Sequence, residues 1–539
     1  MLLEGKKQDR QTIGSRYNFP IAFAVNLILG IGTCVFLPPA WETNDDAAMA
    51  MIANGRGLAA EPSSQLIFSN YIWGQAVRLL TAIFGYVGYS IGAFASITIS
   101  GTIIYYTLRK SGCMHILCVS VVGLLLFRPW SVPQFTLTAG LTMVASICVL
   151  HLFCQRKRLY LLAASCLLAY LSYIIRSQEA FLVLLVALPF ILKGEIFGNR
   201  ATWIAAIVVG LAVLVSSVMD YMSYQTPQWQ TFNEVNFARA PYTDFGAGLM
   251  LRDRPDIYKA YGFSSNDATL ITGWGLYAVP TLANPIILTE MLRKLGLVVF
   301  TGGAAQNVML AINAFKHPYL LYPLAAALLL LVLCRLSWRM IASWAICIAT
   351  IILLALLGRP AIMRVYYPLL VLLTVAPLLS RPSAFRQYLV SSIVIYCLLA
   401  NAAHISAVAS RSTLIQKDAL FDLNLLNGAP LYVWGDQFPF QKVYGPTRDL
   451  TNGLDLKIYG FGVFTPAPFS VAAEEVAGGR SFEQQLRSSQ GLFMMASSQD
   501  LRTLGSYCKE HFVGNLDVQD IGKIADSPLR KVQCVIPTP

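Results

Sequence analysis

Residues 20–57 read PIAFAVNLILGIGTCVFLPPAWETNDDAAMAMIANGRG. Residues 20–37 carry no charged side chain, and a run of that length clears the minimum of about 17 residues for a helix that crosses a bilayer core. Just beyond it stand two adjacent aspartates, Asp45 and Asp46. In a chain that is 56% apolar and 13% charged, carboxylates are used sparingly, and a side-by-side pair needs a reason.

About ten further apolar runs lie downstream, over 87–108, 111–127, 132–154, 159–175, 180–192, 201–219, 318–334, 340–357, 361–380 and 388–408. The expected fold is a polytopic α-helical membrane protein with about eleven transmembrane helices. Basic residues favour the cytoplasmic ends of short loops. Lys6, Lys7, Arg10 and Arg16 precede the first run, and every second junction carries Arg109–Lys110, Arg156–Arg158, Lys193 with Arg200, Arg335 with Arg339, or Arg381 with Arg386. The N-terminus is therefore expected in the cytoplasm, with the first run retained as an anchor. The segment LGLVVFTGGAAQNVML (295–310) reads as an interfacial helix, because counting it as a span would invert every later basic junction. The net charge of +12 is expected to anchor these junctions against anionic lipid. No basic and aromatic platform points to nucleic acid.

This topology divides the chain into a transmembrane domain, residues 1–409, with exported loops over 38–86 and 220–317, and an exported tail, residues 410–539. The tail reads as a small α/β domain. Strands are expected at PLYVWG (430–435), LKIYGFGVF (456–464), GLFMMAS (491–497) and KVQCVIP (531–537), and a helix at SQDLRTLGSYCKEHF (498–512). Nine of the eleven cysteines lie in or beside apolar runs; the other two, Cys508 and Cys534, lie in the tail, where an oxidising compartment would let them pair. The five histidines are scattered, so no dedicated zinc site is expected.

The aspartate pair has two readings. Thr43 or Asn44 can cap a short helix whose first turn holds Asp45 and Asp46 and whose end is Gly55. Alternatively, two crowded carboxylates at a membrane surface repel, which raises one pKa and makes a general base, or they hold a divalent cation. The readings are compatible.

The pair is followed by the helix-like AAMAMIANG (47–55), a turn at Pro62 and a second surface helix, NYIWGQAVRLLTAIFG (70–85). This layout resembles the GT-C glycosyltransferases, integral membrane enzymes that use polyprenyl-phosphate sugars. In that superfamily, which includes protein O-mannosyltransferases and lipid A aminoarabinose transferases, the first exported loop holds an acidic motif next to the first span. The resemblance covers the topology of most of the first 400 residues and implies a GT-C-like fold in the bacterial inner membrane. It further implies a polyprenyl-phosphate-linked sugar donor, a glycan or glycolipid acceptor, and a catalytic role for Asp45 and Asp46. The chain departs from the lipid A transferases in having FSNY (68–71) where they carry a KPP-type stretch, and nothing matches the WWDYG-type motif of oligosaccharyltransferases. A single-sugar transferase acting on an envelope glycan is the closer likeness.

Such chemistry needs cations for the anionic leaving group and a carboxylate to deprotonate the acceptor hydroxyl. Arg176, in YIIRSQEAF, and Arg359 and Arg364, in GRPAIMRVYYP, fall at exported turns and are candidate phosphate ligands. Arg176 could instead pair with Glu179, and Arg359 could snorkel to the surface. The second exported loop mixes Asp, Asn, Gly and aromatic residues, so Asp244, Asn266, Asp267 and Trp274 are candidate sugar or acceptor contacts, with turn formation as the plainer alternative. The rival function is a transporter or flippase of lipid-linked glycans, which would be expected to show internal repeats and polar residues near mid-membrane; neither is visible.

Overall fold

The structure is a computed structural model and describes residues 18–192, 194–279, 281–296, 303–334, 337–379, 384–422, 426, 428–447, 456–524 and 527–536. Apolar runs become helices because hydrocarbon offers the backbone no hydrogen-bond partner other than itself. Along the first half of the chain these are α1 (Asn18–Phe36), the short α2 (Asn44–Asn54), α3 (Tyr71–Phe84), α4 (Gly88–Lys110), α5 (His115–Ser131), α6 (Phe135–Arg156), α7 (Leu159–Ile175), α8 (Ser177–Ile191) and α9 (Arg200–Ser223). The second loop folds as a layer of short helices that includes α10 (Pro227–Asp244), α11 (Ser265–Thr272), α12 (Pro285–Leu295) and α13 (Ala304–Ala314). Four long helices follow, α14 (Pro318–Leu333), α15 (Trp338–Leu356), α16 (Met363–Leu378) and α17 (Ala384–Asp422).

Among the described residues, six helical segments are long and apolar enough to cross a membrane; α13 and α14, bent by 79°, add a seventh if taken as one span, and α5, α7, α8 and α16 are shorter apolar helices. The chain is a multi-pass membrane protein. The bend after Ala314 separates α13 from the span that follows; residues 297–302 of the segment expected as an interfacial helix lie outside the described residues. At the centre, α6 is buried almost throughout and packs on α4, α7, α8 and α16. At the edge, α9 exposes Ile204, Ile207, Val208 and Leu211, the apolar face a lipid-contacting helix keeps.

The last helix named before the first strand of the tail sheet, α17, runs to Asp422, past the expected start of the tail at residue 410. No glycine or proline interrupts it until Gly428 and Pro430. Beyond it the tail folds around a five-stranded sheet of β1 (Leu431–Trp434), β2 (Ile458–Phe461), β3 (Leu492–Met495), β4 (Asn515–Ile524) and β5 (Ser527–Val535), in the order β2-β1-β3-β5-β4. The first three strands are parallel, and β5 runs antiparallel to both β3 and β4. The helix expected over 498–512 is present as α18 (Ser498–Phe512). Cys508 on α18 and Cys534 on β5 form a disulfide with a Cα–Cα separation of 5.9 Å. Strand β4 escapes the sequence reading because, as an exposed edge, it lacks the apolar alternation that marks a half-buried strand.

The first loop and the tail are stitched together. The Ile458 N–H donates to the Gly57 carbonyl at 2.8 Å, the Ala60 N–H to Phe469 at 2.8 Å and the Val471 N–H to Leu58 at 3.1 Å. At Gly460 a Cβ would lie 2.7 Å from the tip of the Leu58 side chain, which would have to move aside.

Candidate active site

Helix α2 is buried along Asp46–Ala53 and ends at Gly55, whose left-handed φ of +66° suits glycine. Thr43 occupies the N-cap position, yet its hydroxyl makes no backbone cap; it donates to Asp46 Oδ2 at 2.9 Å. The same carboxylate accepts through Oδ1 from the Tyr89 hydroxyl at 3.0 Å and from the Phe135 N–H at 2.9 Å. Asp46 is fully buried and its pKa is pushed up to about 8. Burial is the main cause, with the Asp45 charge adding to it and the bonds from Thr43, Tyr89 and Phe135 opposing it.

Asp45 faces the other way. About a third of its side chain is open, and Oδ2 lies 3.7 Å from Arg364 Nη1 at the start of α16. Its pKa is raised by burial, while Arg364 and Arg176 pull it down. The structure thus separates a pair that sequence leaves equivalent. Asp46 has both oxygens committed to protein donors, so the pair offers one open carboxylate, not two, to a substrate or a cation.

Asp45 opens into a cavity of about 620 Å³ that also collects Arg176, Arg359, Arg364, Asp244 and Trp274. Arg176 caps the break between α7 and α8; its Nη1 donates to the Phe68 carbonyl at 2.7 Å, and its guanidinium lies 5.3 Å from the centre of the Phe135 ring. Arg176 and Glu179 form no ion pair. Glu179 lies in the cavity wall 1% exposed, and among the described residues neither of its carboxylate oxygens has a hydrogen-bond partner. Arg359 lies over the Phe245 ring at 4.5 Å. In the same lining, Arg239 stacks on Trp274 at 4.4 Å and bonds Asp244 at 3.0 Å.

Asn266 and Asp267 are not brought to the cavity. Asp267 is buried and accepts from the Ser264 N–H in a capping box at the head of α11, with His511 Nε2 3.1 Å away, and the Asn266 amide donates to the Thr503 carbonyl at 3.0 Å. Ser-Asn-Asp makes a good cap, and here it also ties the second loop to the tail.

Sequence reasoning missed the cavity's other wall. Gly435 and Asp436, just past β1, and Gly460 to Phe464, at the end of β2, line it from the tail. The carboxyl ends of parallel strands are a usual place for a ligand. The glycines after both strands, in YVWGD and YGFGVF, are the only hint of this in the sequence.

The sequence matches no protein-family model and no curated protein. Among solved structures, the chain is similar to ArnT from Cupriavidus metallidurans in the apo state, with 13% identity and a TM-score of 0.44 over 95% of this chain and 97% of that one. It is also similar to ArnT from Cupriavidus metallidurans bound to undecaprenyl phosphate, with 13% identity and a TM-score of 0.41 over 95% of this chain and 98% of that one.

Proposed function

We propose that this protein transfers a single sugar, hexosyl or pentosyl, from a polyprenyl-phosphate donor to an envelope glycan or glycolipid acceptor. The reaction takes place at the exported face of the bacterial inner membrane, with Asp45 as general base. The observation that carries the reading is the convergence of one open carboxylate, Asp45, with Arg176, Arg359 and Arg364 in a single cavity where membrane helices meet the loop layer. The volume of about 620 Å³ is ordinary for a small-molecule site and has room for one sugar and its phosphate.

In the proposed reaction an acceptor hydroxyl oxygen attacks the anomeric carbon, the bond from that carbon to the phosphate oxygen breaks, and polyprenyl phosphate leaves with the bonding pair. The hydroxyl proton passes to Asp45. Guanidinium groups suit the leaving phosphate because they stay charged and donate in a planar fork. Asp244, Trp274 and the tail residues Asp436 and Gly462 line the same cavity, where the sugar would lie. Eleven crossings, counting the four short apolar helices and α14 as spans, put the tail on the side opposite a cytoplasmic N-terminus.

The test is sugar transfer in membranes supplied with labelled polyprenyl-phosphate sugars, comparing the wild type with Asp45→Asn at equal abundance. Loss of transfer is expected. Wild-type turnover by Asp45→Asn would end the assignment.

A further inference from the structure

A second cavity, of about 250 Å³, lies at the other end of the helices that build the Asp45 site. Helix α6 begins at the Asp45 cavity with Phe135 and reaches this one at Ile147 to Cys154; α8 runs between them from Gln178 to Ile191, and α16 from Arg364 to Leu379. Helix α15 runs the other way, from Ser337 and Met340 here to the turn that holds Arg359 there. Its 19 residues span about 28 Å, close to the thickness of about 30 Å of a bilayer's hydrocarbon core. The two cavities therefore stand at the headgroup levels of opposite leaflets.

Basic residues collect at this second end. The sequence puts Arg156, Lys157 and Arg158 after α6, Lys193 after α8, Arg335 and Arg339 around the start of α15, and Arg381 after α16. Of these, Arg339 lines the cavity. Its guanidinium lies 5.5 Å from the centre of the Trp338 ring, and among the described residues it has no ion pair and no hydrogen bond. Only its Nε is shut off from solvent; both Nη groups stay open.

The other polar groups of the wall are engaged or weak. His151 Nε2 lies 2.9 Å from the Gln155 amide nitrogen, the Ser337 hydroxyl accepts from the Met340 N–H at the head of α15, and Cys148 and Cys154 are buried thiols. No carboxylate among the described residues lines the cavity, and the rest of its wall is apolar, with Phe190, Ile191, Met340, Leu372 and Val375. An open guanidinium at the N-terminus of a long helix suits an anion, and apolar walls suit one that is tethered to hydrocarbon. A space of 250 Å³ takes a headgroup, not a whole lipid. Next to Arg339, α15 exposes Trp338 and, in the same stripe, Ile341, Ile348 and Ile352, a surface along which acyl chains can lie.

We propose that this cavity binds the phosphate of an anionic phospholipid in the leaflet facing away from Asp45, with the acyl chains along α15. Basic pockets between membrane helices are a usual seat for such headgroups. The site needs neither sugar donor nor acceptor, so it stands or falls apart from the glycosyl-transfer reading.

The experiment places the full-length protein in phosphatidylcholine nanodiscs doped with phosphatidylglycerol and reads retained lipid by native mass spectrometry. Phosphatidylglycerol should be retained in preference to phosphatidylethanolamine. Arg339→Ala should lower that retention about tenfold or more, the scale of one charged hydrogen bond, and Arg339→Lys should recover part of it. Ala376→Phe, which narrows the cavity from α16 without altering charge, should act like Arg339→Ala; if it fails to fold, the arginine variants decide. Arg386→Ala removes a cation outside the cavity, one bonded to the Leu333 carbonyl, and should change nothing. Retention that survives Arg339→Ala, or an equal loss with Arg386→Ala, would reduce the effect to diffuse surface charge and overturn the site. Displacement of phosphatidylglycerol by millimolar inorganic phosphate or by undecaprenyl phosphate would also overturn it, because the guanidinium would then serve another ligand.

Discussion

The backbone N–H of Phe135 donates to Asp46 across 89 residues of chain. Through that bond the first turn of α2 is fixed to the head of α6, the most buried helix of the bundle, and Asp45 is aimed by its neighbour. Asp46→Ala would strand three donors and is expected to cost about 2–4 kcal/mol, read as a lower melting temperature in detergent. There is also a pH signature. A carboxyl whose pKa rises from the ordinary value of about 4 to about 8 on folding favours the folded state most at low pH, and that contribution is lost as pH climbs through the window between the two. Asp46→Asn should remove this slope. If the two proteins show parallel melting curves from pH 5 to 8, Asp46 is not the buried acid described.

Activity should move the opposite way with pH. Asp45 must be ionised to accept a proton, and its raised pKa places the acid limb of kcat/KM above the usual carboxylate range. Arg364 lowers that pKa, so Arg364→Ala should shift the limb to higher pH. A shift to lower pH, or none, would mean that the limb belongs to another group.

Arg359 has an aromatic contact but no carboxylate partner among the described residues, which leaves its guanidinium available to phosphate. Arg359→Ala should raise the donor KM roughly ten- to a hundredfold, the scale of losing a charged hydrogen bond, with little change in melting temperature. Arg176→Ala should do both, because its bond to the Phe68 carbonyl also braces the first loop. Unchanged donor dependence in both variants would reduce them to anchors.

Asp267→Asn and Asn266→Ala serve as contrasts. Both residues join α11 to the tail, so these substitutions should lower stability by about 1–2 kcal/mol while leaving donor and acceptor KM at wild-type values. A selective rise in either KM would return them to the site.

Removing the disulfide with Cys508→Ser should cost the tail about 3–4 kcal/mol in the chain-entropy picture for a separation of 26 residues. Thiol labelling of denatured protein should find neither Cys508 nor Cys534 free until reductant is added. Labelling of both without reductant would contradict the bridge.

The helices were legible because bilayer burial leaves a coarse mark, a long uncharged run, and Asp45 was legible because two carboxylates at the end of such a run are rare. The division of labour between Asp45 and Asp46 was not. It is set by Tyr89 and Phe135, partners 43 and 89 residues away. The roof of the cavity was equally hidden, since Gly435, Asp436 and Gly462 read locally as ordinary turns after strands. Glu42 and Arg128 look like loop and helix-end charges until packing puts them together and seals the arginine from water. Asp267 shows the converse, a residue of a type suited to sugar contacts that is engaged in capping a helix.

The stitching of Gly57–Ala60 to Ile458 and to Phe469–Val471 sets a schedule for biosynthesis. The ribosome makes the first of these segments some 400 residues before the second, an interval of about 20–80 s at 5–20 residues per second. Throughout that time the nascent chain holds Asp45, and each arginine once it has been made, with no roof above it. A message broken late in its reading frame would still yield an inserted bundle, but one without a closed chamber. An interruption before residue 464 therefore leaves the chamber open.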